Sequence, residues 1–213
     1  KKFGKFYIHF AEMSVPPRMM DVDWMCNDEV DLSNQEHLEQ AASRMDASKY
    51  SYRHQISTPS IENVGIDALY KLSDQKEWVV KCAYCSHEQV MTWNENVVHH
   101  KGETKYLCQR CKNALHADDI REGNWVAMGN TNSLMSGYQI SHLMIPYINK
   151  EKLWIESKTM SQKNFYNFRL GLPFTPSSGS ITKDVIMNNC FDTQHKPESA
   201  SRSNSETYVI GAD

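Results

Sequence analysis

Apolar and polar residues alternate over residues 6–13 (FYIHFAEM), which predicts a strand. The paired prolines of SVPPRM close it, because they cannot continue a ladder. A second, short strand is predicted over 22–27. Beyond it, Ser33 followed by Glu36 has capping-box spacing, and Leu38, Ala41, Ala42 and Met45 recur at helical period. KYSYRHQI predicts a third strand ending in STPS, GIDALYKL a short helix, and EWVVKC a further strand. Strand, helix and strand in this rhythm predict an α/β sheet. GYQISHLMIP (137–146) reads as an apolar strand between Gly and Pro. Residues 150–168 read as one or two helices, with Leu153, Trp154, Met160, Phe165 and Phe168 inward. HKPESASRSNSE (195–206) is polar, Ser-rich and aperiodic, the pattern of a linker, and TYVIGAD after it would open a second domain. A chain that begins and stops on strands is expected to be a piece of a longer protein.

Composition narrows this picture. The 213 residues suffice for one large domain or two small ones, and 40% hydrophobic with 23% charged residues is ordinary globular usage. A net charge of −3 argues against a strongly basic nucleic-acid coat, although a local basic patch is compatible with it. No apolar run approaches the ~18 residues of a membrane span, and no signal-peptide core follows Lys1 and Lys2. Four of the six cysteines form two C-x-x-C pairs, which points to metal chelation in a reducing compartment and not to a disulfide frame.

WMCNDEVD (24–31) sets two adjacent carboxylates at the end of an apolar strand. This is the Walker B pattern of nucleotide hydrolases, in which Asp28 would hold Mg²⁺ and Glu29 would polarise the attacking water. Asn27 stands where an apolar residue is usual. A solvated strand end is the plain structural alternative. STPS (57–60) follows the next strand, where many motor ATPases carry a small polar motif that senses the γ-phosphate. Ser57 and Thr58 supply hydroxyls for that task, and an ordinary turn is the alternative. No G-x-x-x-x-G-K-[ST] occurs in the sequence, so a phosphate-cradling P-loop would lie upstream of Lys1.

CAYC (82–85) and CQRC (108–111) have zinc-ribbon spacing. Cys82, Cys85, Cys108 and Cys111 would complete a closed tetrahedral site for a structural Zn²⁺. EQVMTW and TKYL fit short strands beside the knuckles. His87 and His116 lie close enough to substitute, but four thiolates suffice. Cys26 and Cys190 are expected to be buried thiols. Asp213 ends the apolar run YVIGAD, the setting of the first metal-binding carboxylate in ribonuclease-H-like nucleases. A strand-end Asp without function is the alternative.

Taken in order, DEVD, STPS…GID…LYKLSDQKEWVVKC, the two knuckles, GYQISHLMIP, NFYNFRLGLPF and YVIGAD resemble the large subunit of a tailed-phage terminase of the lambda-like class, over nearly the whole chain from Met20 onward. The resemblance implies part of an additional-strand P-loop ATPase sheet with an inserted zinc ribbon, leading into a ribonuclease-H-like nuclease. Residues 1–194 would be the C-terminal part of the ATPase domain, with the ribbon at about 78–115. Residues 195–206 would be the linker and 207–213 the first nuclease strand.

The resemblance further implies ATP-driven packaging of viral DNA into a procapsid and endonucleolytic cutting of concatemers, in the cytoplasm of the infected host. By it, Asp28 and Glu29 serve ATP hydrolysis, Ser57 and Thr58 couple it to movement, and Asp213 is the first nuclease metal ligand. Mg-ATP, structural zinc and a divalent nuclease metal (Mg or Mn) are the implied cofactors. Double-stranded viral DNA, the terminase small subunit, the portal and sister copies in a ring are the implied partners. Ala83 and Ser86 depart from the usual Pro and Gly of such knuckles, and Arg44, Arg53 and Arg169 are all open as arginine fingers. A helicase-like ATPase fragment and a non-catalytic zinc-ribbon module that binds DNA or protein are the rival readings.

Overall fold

The computed structural model describes residues 21–175. The strand expected over 6–13, the linker over 195–206, Cys190 and Asp213 lie outside the described residues.

Strands β1 (Trp24–Asn27) and β2 (Tyr52–Gln55) run parallel, with Asn27 opposite Gln55. A parallel pair needs a crossover of about a dozen residues or more. Helix α1 (Gln35–Ala42) supplies it, burying Leu38 and Ala41 on one face, with Met45 buried just beyond its end. The helix starts one residue later than its capping box predicts. Asn34 is the N-cap, accepting from the backbone N–H of His37 at 3.3 Å. Ser33 is drawn instead to the carbonyl of Glu29, to which it donates both its N–H (3.1 Å) and its hydroxyl (3.0 Å).

Helix α2 (Gly65–Leu72) occupies the residues the pattern predicts. The chain then leaves the β1–β2 sheet, which corrects the expectation of a single α/β sheet. Strand β3 (Lys76–Lys81) lies between β4 (Glu88–Val90) and β7 (Asn124–Ala127), antiparallel to both. A strand central to a parallel sheet is apolar on both faces. KEWVVK begins and ends on charged residues and suits an antiparallel sheet with one wet face. The Trp78 indole fixes it to α4 (Ala117–Arg121) by donating to the Ile120 carbonyl at 2.8 Å. A short helix α3 (Trp93–Asn96) leads into the hairpin of β5 (Val97–His100) and β6 (Glu103–Tyr106). The main core gathers Val80, Tyr106, Ile120, Leu143, Leu153 and Phe165.

Residues 137–146 do not form the predicted strand. Tyr138 makes one isolated bridge with Lys76, and His142–Met144 is a 3₁₀ turn. That bridge rests on two backbone bonds, from the Lys76 N–H to the Gly137 carbonyl (2.7 Å) and from the Gln139 N–H to the Lys76 carbonyl (3.1 Å). The Asp74 carboxylate accepts from the Gly137 N–H (3.0 Å) and the Ser136 hydroxyl (3.1 Å), and a Cβ on Gly137 would stand 2.1 Å from the Ser73 hydroxyl.

Helices α5 (Lys150–Thr159) and α6 (Gln162–Phe165) follow, and the latter widens into a π-turn over Tyr166–Leu170. Leu153 and Phe165 are buried as expected, but Phe168 is 52% exposed. The widened turn shifts the helical phase, so Asn167 and Leu170 face inward in its place.

Gly65 has φ +56°, and a Cβ there would lie 2.2 Å from Asp31 Oδ1. Gly65→Ala is therefore expected to destabilise the fold by about 2 kcal/mol or more, adding displacement of Asp31 to a left-handed backbone cost of about 1–2 kcal/mol. A urea midpoint equal to that of the parent would contradict this geometry.

Candidate functional site

Asp28 and Glu29 leave the carboxyl end of β1 and are both exposed. Glu29 adopts a left-handed conformation, φ 51° and ψ 50°. Outside glycine this conformation is costly and persists where neighbours impose it. Here the Asp28 carboxylate accepts from the Glu29 N–H at 3.0 Å, and the Glu29 carbonyl accepts from Leu32 (3.0 Å) and Ser33. Asn27 is 6% exposed, and its side-chain oxygen has no hydrogen-bond partner.

Parallel pairing brings the segment after β2 to the same edge. Ile56 N–H donates to the Asn27 carbonyl (2.8 Å) and Val30 N–H to the Ile56 carbonyl (3.2 Å). Ser57 and Thr58 follow directly, and the Ser57 hydroxyl accepts from the Asp31 N–H at 3.0 Å. The two motifs predicted to work together are thus neighbours at one sheet edge. Of the three candidate arginines, Arg169 is engaged elsewhere, bound in two-pronged fashion to Glu156 at 2.7 and 3.1 Å. Arg53 is exposed on β2, and the Nε of Arg44 is buried without a partner.

The four knuckle cysteines converge. Their sulfurs all lie within 4.8 Å of one another, with Cys82–Cys111 and Cys85–Cys108 each at 3.7 Å. Four thiolates at Zn–S distances of about 2.3 Å form a tetrahedron with edges of about 3.8 Å, so the set fits a tetrahedral soft cation. Neither His87 nor His116 joins this group. Cys26, expected to be buried, is exposed on β1. Each knuckle closes on a backbone bond, Ser86 N–H to the Cys82 carbonyl (2.9 Å) and Lys112 N–H to the Cys108 carbonyl (3.1 Å). Ser86 (φ 56°) and Lys112 (φ 58°) hold the left-handed position, so the departure from glycine does not prevent the turn. Burial opposes ionisation of Cys108. The N–H groups of Cys111 and Arg110, with the Gln89 amide and the Cys85 thiol, nevertheless bring its pKa down to about 6.

Behind the cysteines lies a buried amide network. Gln89 donates to the Cys108 sulfur (3.4 Å) and accepts from Asn96 (3.0 Å) and from the Gln109 N–H (2.8 Å). Asn96, fully buried, also donates to the Leu107 carbonyl (2.8 Å) and accepts from the Thr92 N–H (2.8 Å) and the Gln109 amide (3.0 Å).

A sequence model described as the phage terminase large subunit gpA, ATPase domain, matches residues 7–130. That span is more than half of the 213 residues. The chain belongs to this terminase family. No curated protein and no solved structure matches it. The terminase match covers Asp28 and Glu29, the Ser57–Thr58 segment and all four cysteines, and it ends before Asp213. Among the described residues, no helix of this terminase chain is long and apolar enough to cross a membrane.

Sequence reasoning missed the buried Gln89 and Asn96 and the half-buried Gln109, because inward-facing amides carry no periodic signal. It also passed over Asp31, whose signal was present as the third carboxylate of DEVD. Asn96→Ala strands the donors and acceptors that the Asn96 side chain now satisfies. It is expected to destabilise the cysteine-bearing region by about 2–4 kcal/mol, through several unsatisfied buried groups. Faster reaction of the four thiols with a chromogenic thiol reagent should accompany the loss, and unchanged reactivity and melting would refute it.

Proposed function

We propose that this chain is the working edge of an ATP-driven viral DNA packaging motor that also cuts concatemeric DNA. The observation that carries the reading is the meeting of Asp28–Glu29 and Ser57–Thr58 at one end of a parallel strand pair, inside the terminase ATPase match. In this reading Asp28 is the carboxylate for the Mg²⁺ that accompanies ATP. Glu29 takes the proton of, or polarises, the attacking water. Its backbone is left-handed, φ 51° and ψ 50°, a conformation it shares with turn residues such as Ser86 and Lys112. Ser57 and Thr58 report the state of the γ-phosphate. The reading also requires a phosphate cradle, which no G-x-x-x-x-G-K-[ST] in this sequence supplies.

Cys82, Cys85, Cys108 and Cys111 hold a structural zinc ion that ties the two knuckles together. With four protein ligands the site is closed, and it takes no part in hydrolysis. Asp213 is the first metal ligand of a ribonuclease-H-like nuclease that uses Mg²⁺ or Mn²⁺ and is completed by further carboxylates. The partners are double-stranded viral DNA, the small subunit, the portal and sister copies in a ring, in the cytoplasm of the infected host. The terminase match favours this reading over the helicase-like and ribbon-only alternatives.

In the full-length protein, Glu29→Gln is expected to abolish ATP turnover while nucleotide binding persists, since it removes the charge and keeps the shape. Turnover at the parent rate would exclude the assignment. Metal analysis should find one zinc per chain. Substituting any one of the four cysteines should release it and unfold the knuckles locally while β1 and β2 persist. A purified protein with well under one zinc and four freely reactive thiols would exclude the metal site.

A further inference from the structure

Asp31 makes none of its hydrogen bonds within its own turn. Its N–H donates to the Ser57 hydroxyl (3.0 Å). One carboxylate oxygen accepts from both the N–H (2.9 Å) and the hydroxyl (2.6 Å) of Ser60. The other accepts from the Ile66 N–H (2.7 Å) in the first turn of α2. Gly65 leaves room for that oxygen, since a side chain there would collide with it. Charge-assisted bonds of this kind are stronger than neutral ones, and the helix start favours a negative group. Ser60 extends the connection, because its carbonyl accepts from the Asn167 amide (3.3 Å) and from the Phe174 N–H (3.2 Å).

We infer that Asp31 is a positioning residue for energy coupling: it latches the turn that carries Glu29 to the coupling segment and to α2, so that a backbone change at Glu29 is delivered to both. This rests on the assignment of Glu29 to ATP hydrolysis. A chain of contacts is not by itself coupling, which needs an element with two arrangements. Glu29 supplies one. Its left-handed conformation is strained, and relaxation to an ordinary backbone angle would rotate the Val30–Asp31 peptide that follows. The Asp31 carboxylate would then pull on Ser60 and Ile66 together, and through Ser60 on the segment holding Asn167 and Phe174. A merely structural clamp would lower stability and leave the folded enzyme's turnover alone.

The test uses the full-length protein with ATP and linear duplex DNA, comparing Asp31→Asn, Ser60→Ala, their combination and Glu29→Gln. An amide in place of the carboxylate turns an N–H toward one of the donors it now serves. Asp31→Asn should stay folded, hold the KM for ATP within about threefold, and lower DNA-stimulated kcat roughly tenfold or more, as misplacement of a catalytic group does. Ser60→Ala should lower kcat in the same direction by a smaller factor. The double variant should be no worse than Asp31→Asn alone, because both substitutions break one latch. Folded Asp31→Asn with parent kcat overturns the inference. If Asp31→Asn does not fold, Ser60→Ala at parent kcat overturns it. An inactive Glu29→Gln beside an unaffected Asp31→Asn removes the latch and spares the hydrolytic reading. An active Glu29→Gln removes both.

Discussion

A carboxylate that must satisfy two backbone N–H groups and a hydroxyl from different segments fixes where those segments stand. Asp31 does this for the turn after β1, the segment after β2 and the start of α2. Without it, the N–H groups of Ser60 and Ile66 would lose the partner that pins them, and β2 would end in an ordinary loop. The adjoining features fall into line with that constraint. Gly65 is bare where the oxygen approaches, Ser57 turns its hydroxyl toward Asp31, and Ser33 secures the Glu29 carbonyl instead of capping α1.

The cysteine-bearing region obeys a parallel rule. Bringing four sulfurs within 4.8 Å demands that the chain behind them be rigid, and apolar side chains alone do not orient tight turns. Gln89, Asn96 and Gln109 do so by exchanging hydrogen bonds in a buried cluster whose bonds support one another. Strand β3, α5 and α6 add Val80, Leu153 and Phe165 to the hydrophobic cluster that also holds Cys82 and Cys108.

Local signals were legible where local physics governs. Helix α2 falls on the predicted residues, β1 and β2 fall within their predicted segments, and the two C-x-x-C pairs meet. What escaped depended on distant partners. Residues 137–146 carry a strand's composition, but only their start pairs with β3, at Lys76, where Asp74 also holds Gly137, and Tyr138 lies near the aromatic ring of Trp125. Strand β3 pairs with β7, about 45 positions on, and its Trp78 meets Ile120 of α4, 42 positions away. Several motifs that carried the family resemblance turn out to be such fasteners. Asp74 of SDQ holds Gly137, and Gly171 of LGLPF runs so near the Ile140 carbonyl that a side chain would stand 2.1 Å from it. Their order along the chain was a fingerprint of tertiary joints and only secondarily of chemistry.

The π-turn at Tyr166–Leu170 acts on this architecture as a phase shifter. One surplus residue rotates everything after it by roughly 100°, the angle of a single helical step. Within this turn Asn167 reaches Ser60 and Arg169 reaches Glu156, and just after it Gly171 passes close to the Ile140 carbonyl. A version of the helix one residue shorter would keep its hydrogen bonds and its hydrophobic content, yet would point all three residues in the wrong direction. Length at this point of the chain is therefore as much a part of the structural code as residue identity, although the segment looks like unremarkable helix.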